Sequence, residues 1–119
     1  MRPPLMPEQM THEEYVAMQR RHVATIAQRI LAKEVDIFDA SWEIAGLRAE
    51  LEIDLQDDDV MAFVLVVCET DALPVGVEAL NWSEEALARK EPEVRRAREW
   101  AFNIVRQPCE NLIARFADA

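Results

Sequence analysis

The chain has 119 residues, 23 Asp and Glu against 13 Lys and Arg, a net charge of −10 at neutral pH, and a hydrophobic content of 50%. That apolar content is too high for a disordered chain and enough for one compact core. The acidic balance argues against direct nucleic-acid binding and against anionic membrane surfaces.

No apolar run approaches the roughly 20 residues of a membrane span; the longest, Val60 to Cys68, has nine. The first residues lack the apolar stretch of a secretory leader, so a cytoplasmic setting is expected. Only two glycines occur, while Ala, Leu, Glu and Arg are plentiful, a balance that favours helix.

In chain order, residues 1–10 hold three of the six prolines and are expected to be an extended tail ahead of a single domain at 11–119. Thr11 with Glu14 three residues later has the form of a capping box. It opens a predicted helix from about His12 to Lys33, with Val16, Val23, Ile26, Ala27, Ile30 and Leu31 on one face. A second helix is predicted to open at Asp36 or Val35 and to run to about Glu52. Its stripes Ile37–Ala40–Ile44–Leu47–Leu51 and Phe38–Trp42–Ala45–Ala49 form an apolar face wide enough for two neighbours.

The run Val60–Cys68 follows Asp57, Asp58 and Asp59. Its β-branched residues would suit a buried strand. No second strand-like run exists to pair with it, and three acids at its start complement a helix N-terminus. It is therefore read as a central helix over about 54–70, buried nearly all round. Pro74 and Gly76 mark a loop reaching to about Trp82. Ser83 or Asn81 caps a short helix through Arg89, and Pro92 suits the first turn of a last helix over about 92–117. Pro108 is expected to kink or break that helix near Ile104–Gln107. The expected fold is all-α, an irregular bundle of four to five helices around a central buried one.

The charge is unevenly distributed. Between Ala49 and Ala88 stand eleven carboxylates and no Lys or Arg, whereas the remaining 12 acids and 13 bases nearly cancel. Glu50, Glu52, Asp54, Asp57, Asp58 and Asp59 crowd into ten positions. These six are the candidate docking residues for a basic protein partner. The competing reading folds the Arg-rich stretch containing Arg95, Arg96 and Arg98 back onto them as an internal pairing.

The residues for other chemistries are not suitably spaced. Zinc wants His and Cys close together, but His12 and His22 lie ten apart and Cys68 and Cys109 forty-one apart. No Glu precedes a His by three, so the di-iron bundle pattern is missing, and no Gly-rich phosphate loop exists. No metal, cofactor or catalytic residue is expected, and both cysteines read as reduced core thiols. Trp42 and Trp100 read as core. Glu69, Thr70 and Asp71, with the rigid loop and Trp82, could line an interhelical pocket.

The leading expectation is a small acidic, non-catalytic protein-binding protein, most concretely an immunity protein or antitoxin neutralising a basic toxin such as a nuclease. This rests on likeness of character and on no family motif. The alternatives are a small enzyme or ligand sensor built around residues 69–82, and a homodimeric structural module.

Overall fold

The computed structural model describes residues 9–119, so most of the expected tail at 1–10 lies outside the described residues. Four α-helices form the bundle: α1 (His12–Leu31), α2 (Ile37–Leu47), α3 (Asp58–Glu69) and α4 (Glu84–Phe116). Two 3-10 segments, Arg48–Leu51 and Gly76–Asn81, lie between them. No strand occurs among the described residues, so the all-α reading holds.

Each α-helix opens on a side-chain cap that satisfies its free amides. Thr11 Oγ1 accepts from the Glu14 amide at 3.1 Å, and Ser83 Oγ from the Ala86 amide at 3.1 Å. Asp36 Oδ1 accepts from Phe38 N at 2.8 Å and Asp39 N at 3.0 Å. Asp57 Oδ1 accepts from Asp59 N and Val60 N at 3.1 and 3.4 Å. Helix α1 ends where Lys33 turns left-handed, at φ 58°.

Helix α2 stops at Leu47, short of the expected end near Glu52. The chain tightens into the 3-10 turn and closes on Glu52 in the left-handed region, at φ 50°. Arg20 of α1 holds this corner, donating from Nε to the Leu51 carbonyl at 2.9 Å. Residues 54–57 are likewise not helical. Asp54 Oδ1 takes the Gln56 amide at 2.8 Å, a side-chain turn that competes with helix.

The core is continuous through all four helices. Val23, Ile30, Ile44, Leu51, Val60, Phe63, Val66, Val105 and Leu112 are its most enclosed large aliphatic and aromatic members. The run Val60–Cys68 is helical, as expected, and packs on α2 and α4. It is not buried all round: Val60, Phe63 and Val66 face inward, while Leu65 and Cys68 are exposed. A uniformly apolar run therefore hides a one-sided helix, because every position on its outer face is also apolar.

The largest departure lies at the C-terminal side. The two helices expected at 83–89 and 92–117 are one, α4, running unbroken through Pro92 and Pro108. A proline inside a helix costs about 3 kcal/mol. At Pro108 the flanking residues Ala101, Val105, Cys109, Leu112 and Phe116 are all buried, and packing on both sides of the ring holds the helix together. Helix α4 runs antiparallel to α1: Arg20 lies over the Phe116 ring and Lys33 over the Phe102 ring, at 5.5 and 5.1 Å from the centroids. At ~1.5 Å per residue α4 is about 50 Å long, which accounts for the 52 Å long dimension of the molecule.

The two thiols are unlike each other, correcting the expectation of two core cysteines. Both are free, but Cys68 is exposed and Cys109 buried. Burial pushes the Cys109 thiol up to about 12, so almost none is thiolate at neutral pH. One fast equivalent of a thiol reagent should therefore label the folded protein at Cys68, and the second should react only on unfolding. Peptide mass mapping against time checks this assignment.

Candidate functional site

The six acidic candidates do not form one free face. Asp57 and Asp59 are drawn into an ion cluster with Arg115 of α4. The guanidinium spans both Asp57 oxygens at 2.9 and 2.9 Å, and Nη1 also reaches Asp59 Oδ2 at 2.8 Å. Asn111 donates to the other Asp59 oxygen at 2.8 Å. The hydrogen bonds from Arg115 hold the Asp57 carboxyl below the usual carboxylate range and push the guanidinium up. The competing reading, internal pairing with Arg95, Arg96 and Arg98, thus gives way to pairing of Asp57 and Asp59 with Arg115. Arg95 instead meets Glu91 at 3.5 Å, and Arg98 lies over the Phe38 ring.

Glu52 is engaged as well, hydrogen-bonded to His12 at the start of α1. That bond raises the His12 pKa, so the contact is at full strength below an ordinary histidine pKa and weakens as pH rises through the raised value. Asp54 holds its own turn. Glu50 and Asp58 are exposed, which leaves them the two members best placed to face a partner.

A different place has the shape of a site. Helices α2 and α3 and the Gly76–Asn81 turn enclose an open groove of about 570 Å³. Its apolar wall includes Val67, Leu73, Val75 and Val77. At its edge stands Trp42, whose side of α2 faces away from the core, leaving the residue 71% exposed. The expectation that Trp42 is core is therefore corrected; Trp100, by contrast, packs partly buried against the core. Exposed Val77 and Leu80 in the turn extend the apolar surface on the molecule's exterior.

The groove's rim is acidic: Asp39, Glu43, Asp71 and Glu78 line it, with no Lys, Arg or His among the lining residues. Glu43 is steadied from behind by His22 at 2.9 Å. Of the expected pocket residues, Thr70 and Asp71 belong to this groove, whereas Glu69 is exposed and Trp82 is not among its lining residues. The Thr70 hydroxyl is spent on the Val66 carbonyl at 2.7 Å. The groove's available polar groups are therefore mainly carboxylates.

Asp39 fixes the far wall. Its Oδ1 accepts the Val77 amide at 3.0 Å, tying the 3-10 turn to α2. Gly76 makes this approach possible: its φ is +57°, and a Cβ there would overlap the Asp39 carboxylate. Gly76→Ala should cost about 1–2 kcal/mol from the left-handed backbone alone, with a further loss from displacing Asp39. Urea denaturation measures the cost, and Gly76→Asn, better tolerated in that region, should recover part of it.

No group of three His, Cys, Asp or Glu side chains converges as a metal site among the described residues. No helix among the described residues is long and apolar enough to cross a membrane. No protein-family profile matches the chain, and neither a curated protein nor a solved structure is detectably similar to it. The groove's own chemistry is then the guide to function.

Proposed function

We propose that this chain is a small acidic, non-catalytic protein-binding protein, and that the groove between α2, α3 and the Gly76–Asn81 turn receives a basic partner. The observation that carries the reading is an exposed tryptophan beside an apolar groove with four carboxylates and no base. Tryptophans at such positions dominate binding energy when a partner covers them, and a surrounding charge of one sign steers the opposite charge to the site. Glu50 and Asp58, exposed members of the acidic segment, lie outside this groove and contribute to the net negative charge of the molecule. Neutralisation of a basic toxin, such as a nuclease, by an immunity protein or antitoxin is the most concrete form of this activity.

The groove's volume favours a second reading, since about 570 Å³ lies in the range of small-molecule pockets. The carboxylate rim would then select a cationic ligand with an apolar body.

The first reading is tested with a synthetic amphipathic helix bearing Lys on one face and Leu on the other, against a Glu–Leu counterpart. Calorimetry should show the Lys peptide binding, with affinity falling as salt rises. Trp42→Ala should weaken it by about 2 kcal/mol, roughly thirtyfold, while leaving thermal stability unchanged because the side chain lies outside the core. Equal binding by wild type and Trp42→Ala, or no binding, would remove the groove from the proposal.

A further inference from the structure

We infer that the depression between the end of α1, the linker at 32–36 and α4 binds a small aliphatic carboxylate. Its volume of about 370 Å³ lies in the range of small-molecule sites. Its charge is opposite in sign to that of the groove between α2 and α3. Lys33 and Arg98 line it against a single acid, Glu99, in a molecule whose net charge is −10. Exposed Val35 and buried Ile37 give it apolar surface. The inference is independent of the role proposed for the groove.

The cations are ordered but not neutralised. Lys33 lies over the Phe102 ring at 5.1 Å from the centroid, and Arg98 over the Phe38 ring at 5.7 Å. Arg106 also sits on Phe102, at 5.3 Å, so three positive charges stand on two rings. Among the described residues, none of the three forms an ion pair with a carboxylate. A ring face steadies a cation without removing its charge, so an incoming anion has fewer side chains to order. Arg98 offers a planar fork matched to a carboxylate, and Lys33 a point charge. Asn103 in the same lining adds an amide donor. Because cations already occupy Phe102, the apolar contact left to a ligand is with Val35 and Ile37, which suits an acyl chain better than an aromatic ring.

The backbone at Lys33 points the same way. Its φ of 58° places it in the left-handed region, where glycine is usual at a helix end. A lysine at such an end commonly caps the last carbonyls, but here backbone amides already do so. Ala32, Lys33 and Glu34 donate to the carbonyls of Gln28, Ile30 and Arg29, each at 3.0 Å. The chain therefore carries an unfavourable residue where its side chain lines the depression, and strain of this kind gathers at ligand clamps.

Amide NMR of the full chain, titrated with octanoate, octylammonium and octanol at fixed pH and ionic strength, is the test. Octanoate should give saturable shifts at residues 32–37 and 98–103, with a Kd of roughly 0.1–1 mM for a ligand of that size. Octylammonium and octanol should leave those residues unmoved. Lys33→Gly and Arg98→Gln should each weaken octanoate at least about tenfold, the loss of one charge-assisted contact. Lys33→Arg should restore most of the binding. Lys33→Gly should also hold or raise the urea midpoint, because glycine relieves the left-handed backbone, so a lost affinity is not a lost fold. Arg98→Gln, on the surface of α4, is a second route to the same answer. Shifts that are absent, that do not saturate or that map to the groove between α2 and α3 would overturn the inference. So would equal binding of octylammonium, or octanoate affinity unchanged in both Lys33→Gly and Arg98→Gln.

Discussion

Phe63→Ala should lower stability by about 3–5 kcal/mol. Phe63 is the largest fully buried side chain and sits on the inner face of α3, the helix that packs against both α2 and α4. Truncation removes a ring from a space bounded by three helices, and such a space cannot close without moving one of them. Domains of this size are stable by about 5–15 kcal/mol, so the variant should lie close to unfolding at physiological temperature. Leu65→Ala is the matched control, two residues away on the exposed face. Its cost should be below about 0.5 kcal/mol. Urea unfolding of the two variants measures how one-sided α3 is. Comparable losses would mean the outer face of α3 is covered in solution.

Arg115→Met should cost about 1–3 kcal/mol, between the small value of exposed ion pairs and the larger loss on breaking buried ones. The Arg115 side chain is 33% exposed, and Asp57 and Asp59 only 18% and 17%. Removing the guanidinium leaves two carboxylates beside the start of α3, where Asp57 must still cap the helix. The loss carries a pH signature. Asp57 titrates below its ordinary value when folded, so its contribution is complete above an ordinary aspartate pKa of about 3.9. It is lost as pH falls through the depressed folded value. Thermal melts between neutral pH and pH ~2 should therefore show a steep acid destabilisation in wild type and a shallower one in Arg115→Met. Parallel curves for the two proteins would remove the cluster from the acid response. The same geometry means that reversing Asp57, Asp58 and Asp59 together would test stability rather than docking. Asp58→Lys with Glu50→Lys is the cleaner probe of partner steering.

Local chemistry makes the helix starts legible in the sequence. Thr11, Asp36 and Ser83 each cap the helix that the sequence pattern opens there, and Asp57 caps α3. Burial is less legible. Val60–Cys68 carries no polar residue on either face, so its periodicity does not say which side turns outward, and Cys68 cannot be placed from it. Proline misleads in α4, because the expected break at Pro108 weighs the missing amide and the ring clash but not the packing that surrounds them.

The groove is half visible. Thr70 and Asp71 follow an apolar helix into a Pro–Gly loop, a pattern that signals a cavity wall. The opposite wall depends on Trp42, whose outward turn is decided by which residues of α2 meet α1 and α3. A fainter sign is present in the sequence: Asp39 and Glu43 stand one helical turn apart with Trp42 next to them, so the tryptophan shares the charged side of α2. The role of Arg115 has no local signature. Its partners lie 56 and 58 residues away in the chain, and only the docking of α3 on α4 brings them together.

The unbroken course of α4 has a consequence for motion. Geometrically it is one rod, but its two halves are anchored very differently: the stretch from Ala101 to Phe116 is locked into the core, and the stretch from Glu84 to Trp100 buries no residue. Local opening follows such differences in anchoring. Pro92 also deprives the carbonyl one turn before it of an amide partner, so the outer half has a ready point at which to fray. Amides of α4 before Ala101 should therefore exchange with solvent through local opening, and those after it only on global unfolding, which hydrogen exchange measures. A single helix thus couples a rigid base to a compliant arm, and anything that grips the arm transmits its pull along a continuous backbone into the centre of the fold.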